Sequence, residues 1–236
     1  MCQDCETGLV SRRTLFTGGL VLAAGMAAST LPAMAQSDEP RPASPDEAIK
    51  RLMGGNARYM ANAAINTDHS ASRTSRSQGQ QPFAAIVSCA DSRVVPELLF
   101  DQGPGDLFVV RVAGNFINED GLASLEYAAA VLGIQAIMVL GHAACGAVDA
   151  TIRSIQDNEL PPGHLPTLVN AIRPAVYDAM RDDPEDLLMA ATRQNAVLNA
   201  AAAASADPIL LPLHADGTIK SVAAIYTIAD GAVALI

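Results

Sequence analysis

The sequence contains no tryptophan, and aromatic residues make up only 4% of its 236 residues. Half of the residues are hydrophobic, so one sizeable core can still be built from Ala, Val, Leu and Ile. Basic residues are scarce as well, since 15 Lys and Arg stand against 25 Asp and Glu, a formal net charge of -10. Nucleic-acid phosphates and anionic membrane surfaces attract clustered Lys and Arg. The charge balance therefore disfavours both as partners and favours small molecules and sister subunits.

The N-terminal segment differs in composition from the rest of the chain. Arg12 and Arg13 stand just ahead of an apolar run, rich in Gly and Ala, that extends from Leu15 to Leu31. The run is followed by Ala33-Met34-Ala35, a small-x-small cleavage pattern. This order is typical of a twin-arginine export signal. The alternative is a membrane anchor, but three glycines within the run and Pro32 after it make a poor spanning helix.

Removal of residues 1–35 would change the number of cysteines. Cys2 and Cys5 belong to the predicted signal, so the mature protein would keep only Cys89 and Cys145. We expect it to be periplasmic or secreted, without stable insertion in the membrane. In an oxidising compartment, two cysteines would ordinarily predict one disulfide. The residues around these two favour a different interpretation.

Residues 36–45 are rich in Pro, Ser and Asp and predict a flexible linker ahead of a single domain, residues 46–236. Apolar residues at helical spacing from Asp46 to Tyr59 predict an amphipathic helix at the start of this domain. The segment from Asn66 to Gln81 shows no period and predicts a loop.

Beyond residue 82, short apolar runs alternate with longer segments of helical period. Short runs without polar alternation are typical of strands buried on both faces of a parallel sheet. Strands that alternate with helices predict an α/β fold, with a mainly parallel central sheet flanked by helices. The last two runs flank Ala229-Asp230-Gly231 and predict a hairpin at the sheet edge. The predicted strands are Phe83–Ser88, Leu107–Val112, Ala136–Leu140, Ile209–Leu213, Ile219–Tyr226 and Ala232–Ile236, and the predicted helices are Leu122–Leu132, Ala147–Gln156, Leu165–Met180 and Asp186–Ala204.

Two short segments that could carry chemistry follow two of these strands. Cys89-Ala90-Asp91-Ser92-Arg93 comes directly after the first strand, and His142-Ala143-Ala144-Cys145-Gly146 comes one residue after the third. Ligands of open α/β sheets bind outside the carboxyl ends of the strands, so both segments are expected to converge at one edge. Two thiolates and an imidazole form a tetrahedral zinc set that leaves a fourth position free. Cys89, His142 and Cys145 are therefore the predicted zinc ligands.

Each segment would be weak evidence by itself, because a lone His-x-x-Cys or Cys-x-Asp-x-Arg also occurs in ordinary cores and turns. A zinc or redox module without catalysis, in which Cys89 and Cys145 pair as a disulfide, stays open as an alternative. Asp91 and Arg93 argue against it, since a plain disulfide needs neither residue.

The two segments resemble the signature segments of the β-class carbonic anhydrases. The resemblance extends from about residue 46 to the C-terminus and implies a β-carbonic anhydrase-like fold. It also implies a zinc enzyme that hydrates CO2 reversibly to bicarbonate and a proton. Hydrolysis of a CO2 analogue, carbonyl sulfide or carbon disulfide, stays open as an alternative. The shape of the pocket and its entrance selects among these substrates, and the sequence motifs do not define that shape. The further similar stretches are Phe108-Val109-Val110-Arg111, Ala113-Gly114-Asn115, Ser124-Leu125-Glu126-Tyr127-Ala128, Ile225-Tyr226 and Asp230-Gly231.

The resemblance assigns roles to residues beside the zinc, whose fourth position would hold water or Asp91. Asp91 and Arg93 would form a catalytic dyad, in which Arg93 holds the carboxylate off the metal so that it can orient the attacking group. Gln102, on the loop after the first signature, would contact the substrate, often across a dimer interface. A homodimer or higher homo-oligomer is implied too, and we expect the helix from Asp46 to Tyr59 to cross onto a neighbour.

Three histidines remain outside the predicted site. His69 lies in a polar loop and His164 follows Pro161-Pro162-Gly163, so both are expected to be exposed, and His214 is expected to end the strand Ile209–Leu213. The sequence assigns no function to any of them.

Overall fold

The computed structural model describes residues 40–70 and 73–236, and within them five strands form one sheet in the order β2-β1-β3-β4-β5. The first four strands are parallel, and β5 pairs antiparallel with β4. The mainly parallel α/β fold and the C-terminal edge hairpin are thereby confirmed. The strands are β1 (Ala84–Ser88), β2 (Leu107–Arg111), β3 (Ala136–His142), β4 (Lys220–Tyr226) and β5 (Val233–Leu235).

Helices cover both faces of the sheet. Their residues are α1 (Pro45–Met60), α2 (Arg73–Arg76), α3 (Pro96–Leu99), α4 (Glu119–Ala130), α5 (Gly146–Gln156), α6 (Leu165–Met180), α7 (Leu187–Ala204) and α8 (Leu210–Ala215). Along β1, Ala84 and Ile86 face the side of α1, whereas Ala85 and Val87 face the side of α4 and α7. All residues of β1 and β3 are buried, which explains why these strands show no polar alternation.

The predicted export signal, residues 1–35, and the first part of the predicted linker lie outside the described residues. The described end of the linker is fixed to the domain, because Arg41 Nη2 donates to the carbonyl oxygens of Pro82 (3.0 Å) and Leu132 (3.1 Å). Among the residues that the structure describes, no helix combines the length and apolarity needed to cross a membrane.

One predicted strand is wrong. The run from Ile209 to Leu213 lies in and just before helix α8, and not in the sheet. Only Leu210 of α8 is fully buried, whereas Leu211 is exposed, so the run packs by one helical face. A short apolar run does not by itself distinguish a buried strand from a helix turn. His214 accordingly lies on a helix, where its ring nitrogens contact Leu210 O (2.7 Å) and Ser221 Oγ (2.8 Å).

Two further expectations need correction on the N-terminal side of the domain. The predicted loop from Asn66 to Gln81 contains the short helix α2. The apolar face of α1, expected to cross onto a neighbour, packs on its own chain, where Ala48, Ile49 and Leu52 are part of the core beneath β1 and β3. An interface between subunits would therefore use other residues of this helix or other elements.

A buried asparagine fastens α1 to the rest of the domain. Asn56 is 2% exposed, and its side-chain amide donates to Leu99 O (3.1 Å) and Gly231 O (2.9 Å). Its side-chain oxygen accepts a hydrogen bond from Val233 N (2.9 Å). One side chain thus joins α1 to α3 and to the C-terminal hairpin.

Asn56→Ala is expected to lower the free energy of unfolding by about 2–4 kcal/mol, because it leaves buried backbone groups without hydrogen-bond partners. Chemical denaturation measures the change. Lys50→Ala, on the exposed side of the same helix, serves as the control and should change it by less than about 0.5 kcal/mol. Equal stabilities of the two variants would contradict the fastening role of Asn56.

Candidate metal centre

Two neighbouring strands and one helix N-terminus position the three predicted metal ligands. Cys89 follows β1 directly, His142 is the last residue of β3, and Cys145 is the N-cap of α5. β1 and β3 pair in parallel with Ser88 opposite Leu140, so their carboxyl ends lie side by side. Ala144, in the turn that connects His142 to Cys145, adopts a left-handed conformation with φ of 55°. This turn brings Cys145 back over the sheet edge.

The structure brings the three ligand atoms together. The sulfurs of Cys89 and Cys145 and a ring nitrogen of His142 all lie within 4.8 Å of one another. Tetrahedral zinc with metal–ligand distances of about 2.0–2.3 Å would place such atoms roughly 3.5–3.8 Å apart. The three residues are almost fully buried, at 4%, 0% and 0% exposure for Cys89, His142 and Cys145. Both cysteines are free thiols, so the alternative disulfide is not formed.

The histidine is oriented as a metal ligand requires. Its Nδ1 lies 3.0 Å from the carbonyl oxygen of Ala143, to which it donates a proton, and this leaves Nε2 as the unprotonated nitrogen. His142 Nε2 is buried and has no hydrogen-bond partner. Buried polar atoms are normally satisfied, so an orphaned imidazole nitrogen beside two sulfurs fits a bound cation.

Hydrogen bonds stabilise negative charge on the sulfurs. The amides of Asp91 (3.4 Å) and Gly114 (3.3 Å) donate to Cys89 Sγ. The hydrogen bond from Cys145 is the largest cause that lowers the pKa of Cys89 to about 4, and burial opposes it. The same hydrogen bond and burial raise the pKa of Cys145. Of the two sulfurs, Cys89 is therefore the one that loses its proton more readily, and a bound metal would favour the thiolate form of both.

The imidazole responds to the same negative charge. Burial acts to lower the pKa of His142, but the interaction with Cys89 outweighs it and raises the pKa. A raised pKa means that the cluster favours a positive charge on the imidazole. A metal cation bound to neutral imidazole, the ligating form, would supply that positive charge instead of a second ring proton.

Asp91 and Arg93 form a two-point ion pair at the mouth of the cluster. Arg93 Nε (2.9 Å) and Nη2 (2.7 Å) bind Asp91 Oδ1 and Oδ2, and the backbone N–H of Arg93 also donates to Oδ1 (2.9 Å). These bonds from Arg93 hold the pKa of the Asp91 carboxyl well below its usual range. The carboxylate oxygen Oδ2 lies 3.9 Å from His142 Nε2. The carboxylate thus lies beside the metal position while Arg93 occupies both of its oxygens.

Gln102, the predicted substrate contact, is 1% exposed. Its side-chain oxygen accepts from Arg51 Nε (3.1 Å), and its amide nitrogen donates to Phe100 O (2.7 Å). These bonds lie within the chain on the side of α1, and none of them reaches the three clustered residues.

Sequence reasoning from the two signature segments missed the contacts that the next strand and loop make with them. Arg111, at the end of β2, binds the carbonyl oxygens of Cys89 (3.1 Å) and Asp91 (2.7 Å). Gly114 donates its amide to the Cys89 sulfur, and Asn195 of α7 donates to Gly114 O (2.8 Å). The available signal was the position of Arg111 and Gly114 at and after the carboxyl end of a third apolar run, Leu107–Val112.

Comparison with known proteins matches this architecture to one family. The family model for carbonic anhydrase matches residues 84–233. Carbonic anhydrase 2 of Mycobacterium tuberculosis is 44% identical over 142 residues, which cover 58% of this chain and 67% of that protein. The chain thus aligns with about two thirds of that relative's length.

Solved structures agree with the sequence match. The β-carbonic anhydrase CcaA is 29% identical with a TM-score of 0.62, and the match covers 79% of this chain and 86% of that one. A tetrameric β-carbonic anhydrase from Sordaria macrospora shares the fold with a TM-score of 0.64 at 20% identity, over 80% of this chain and 96% of that one. Sequence and fold together show that the chain belongs to the β-carbonic anhydrase family.

Proposed function

We propose that the protein is a zinc enzyme that hydrates CO2 reversibly to bicarbonate and a proton. The observation that carries this proposal is the buried Cys89–His142–Cys145 cluster in a member of the carbonic anhydrase family. The two free thiols disfavour the alternative of a structural disulfide. The orphaned His142 Nε2 favours a cluster that binds metal.

The cluster residues would hold the zinc through the sulfurs of Cys89 and Cys145 and through Nε2 of His142. Bound zinc acts as a Lewis acid and lowers the pKa of water to about 7, the value known for a carbonic anhydrase with other zinc ligands. The burial of all three ligands keeps the site in a low-dielectric environment, in which charge interactions are stronger than in water.

Asp91 would orient the attacking water as a hydrogen-bond acceptor. Its low pKa keeps the carboxylate ionised throughout the neutral range, so it accepts a hydrogen bond and does not store the released proton. Arg93 prevents the carboxylate from turning onto the metal, because it binds both oxygens. The side chain of Arg93 is 53% exposed, so the pair borders solvent, into which the proton can leave.

We also propose a homo-oligomer, with Gln102 as a substrate contact near an interface. An apolar patch supports the homo-oligomer, since Tyr127 of α4 (48%) and Val131, the residue that follows α4 (64%), are exposed near the edge strand β2. Phe108 of β2 contacts the Tyr127 ring, with 6.4 Å between the ring centres. A second copy would cover this patch, in keeping with the tetrameric Sordaria macrospora relative.

We further propose that the protein is exported by the twin-arginine route and acts in the periplasm or outside the cell. Arg12 and Arg13, the apolar run after them and the cleavage pattern at residues 33–35 support this proposal. The route carries folded proteins, so the metal could be inserted before the thiols meet an oxidising compartment.

Replacing Cys89, His142 or Cys145 singly by Ala should remove zinc and CO2 hydration together, because two remaining ligands hold the metal too weakly. Metal analysis should find about one zinc per chain in the wild type and little in the variants. His164→Ala, in an exposed loop, is the control and should keep both zinc and activity. Full zinc occupancy in a cluster variant would remove that residue from the ligand set, and turnover of carbonyl sulfide without CO2 hydration would overturn the proposed substrate.

Asp91→Asn and Arg93→Ala should keep the zinc and reduce kcat for CO2 hydration roughly 10- to 100-fold, because both residues orient groups at the metal without binding it. Stopped-flow assays with a pH indicator measure the rate. Asp149→Asn and Arg153→Ala are matched controls, since this ion pair lies exposed on α5 and should not affect the rate. Wild-type rates in the Asp91 and Arg93 variants would reduce the dyad to a structural feature.

Replacement of Arg12 and Arg13 by Lys should leave folded, zinc-loaded enzyme in the cytoplasm with residues 1–35 attached, because the pair is the element that the export route recognises. Cell fractionation with N-terminal sequencing tests this expectation. Processed enzyme outside the cytoplasm of the variant would mean that the protein leaves by another route.

A further inference from the structure

Arg111 binds the backbone on both sides of Ala90. Its Nε donates to the carbonyl oxygen of Cys89 (3.1 Å), and its Nη2 donates to the carbonyl oxygen of Asp91 (2.7 Å). A guanidinium is a rigid planar fork, so two bonds from one group fix the relative positions of both carbonyls. The side chain therefore fixes the turn that presents one metal ligand and one member of the dyad.

The turn depends on this contact because sheet pairing ends beside it. The last residue pair of the β1–β2 ladder is Ser88 with Arg111. Beyond it, the pairing continues through two backbone hydrogen bonds, from Val112 N to Ser88 O (3.2 Å) and from Ala90 N to Val112 O (3.2 Å). Asp91 lies one residue further on, where its carbonyl oxygen accepts from Val94 N within the turn (3.0 Å) and from the Arg111 side chain (2.7 Å), which links it to β2. Without Arg111, the backbone of Asp91 would lose that support on the side of β2.

Asp91 is thus held by two guanidinium groups that act on different parts of the residue. Arg93 binds the carboxylate, and Arg111 binds the carbonyl oxygen. The carboxylate Oδ2 is already 3.9 Å from His142 Nε2, so a small rotation of the backbone would carry it towards the metal position. Arg93 restrains rotation of the Asp91 side chain, but it belongs to the same turn, so a movement of the turn backbone would carry both residues together.

We propose that Arg111 is a positioning residue for the reaction, which keeps the Asp91 carboxylate on Arg93 and away from the fourth ligand position of the metal. This inference rests on the proposed function. Arg111 does not touch the ligand atoms of the cluster; it acts through the carbonyl oxygens of Cys89 and Asp91. Because Arg111 is exposed at the end of an edge strand, its loss should disturb the turn far more than the stability of the fold.

The test compares Arg111→Ala with Arg111→Lys, which retains the charge but loses the planar fork. Arg153→Ala is the control, an exposed arginine paired with Asp149 on α5. Arg111→Ala should retain zinc and the wild-type melting temperature within a few degrees. Its kcat for CO2 hydration should fall roughly 10- to 100-fold with little change in KM, as for other residues that orient metal-site groups. Arg111→Lys should recover part of the loss, and Arg153→Ala should lose nothing.

Cobalt substitution supplies a readout that does not depend on turnover. The visible spectrum of the cobalt-loaded Arg111→Ala protein should differ from that of the wild type, because the Asp91 carboxylate would enter the fourth position. In an Asp91→Asn background, which weakens that carboxylate as a ligand, Arg111→Ala should cause no further change. The same spectrum in wild type and Arg111→Ala would overturn the proposal, and so would a spectral change that persists in the Asp91→Asn background.

The outcomes also separate this inference from the proposed function. If the cobalt spectra behave as expected but the wild-type enzyme does not hydrate CO2, the positioning role stands and the substrate assignment fails. If the wild type hydrates CO2 and Arg111→Ala retains its kcat and spectrum, the function stands and the positioning role fails.

Discussion

The parallel pairing of β1 with β3 is the constraint on which the site depends. Both strands are wholly buried, and Ser88 lies opposite Leu140 in their ladder. Cys89 and His142 therefore leave the sheet at the same edge, although they lie 53 positions apart in the sequence. A slip in register by one residue would turn the side chains of one strand to the opposite face and separate the ligands. The hydrophobic pattern of two strands thus sets the geometry of a polar site.

Once the sheet fixes these two residues, local features place the others. Cys145 reaches the cluster by the left-handed turn at Ala144 and lies at the start of α5, where the amides of Ala147 and Val148 favour negative charge on its sulfur. Gly114 donates to Cys89 from a backbone conformation with φ of +85°, which residues with a Cβ atom rarely adopt, and an added Cβ would lie only 2.4 Å from Ile172 Cδ1. Each of these contacts comes from a segment that follows a strand of the parallel sheet.

The parts of the fold that depend on local pattern could be predicted from the sequence. Short apolar runs without polar alternation predicted the parallel strands, and longer segments of helical period predicted the helices. Helix α6 was predicted with the bounds that the structure shows. The run at Ile209–Leu213 could not be assigned correctly, because five apolar residues fit a strand as well as a helix whose buried position is Leu210. The packing partner of α1 could not be predicted either, because an amphipathic pattern does not reveal whether the apolar face packs on its own chain or on a second subunit.

In the candidate site, the metal ligands could be predicted from the sequence, but the residues that support them could not. Ligand types and their places after strands indicated Cys89, His142 and Cys145, because thiolate and imidazole are recognisable chemistry in sequence. Arg111 and Asn195 carry ordinary side chains, and their contacts arise from the neighbouring strand and from a helix far along the chain. Only the fold shows that these side chains bind backbone carbonyls beside the cluster, so sequence patterns identify the groups that bind a metal better than those that hold them in place.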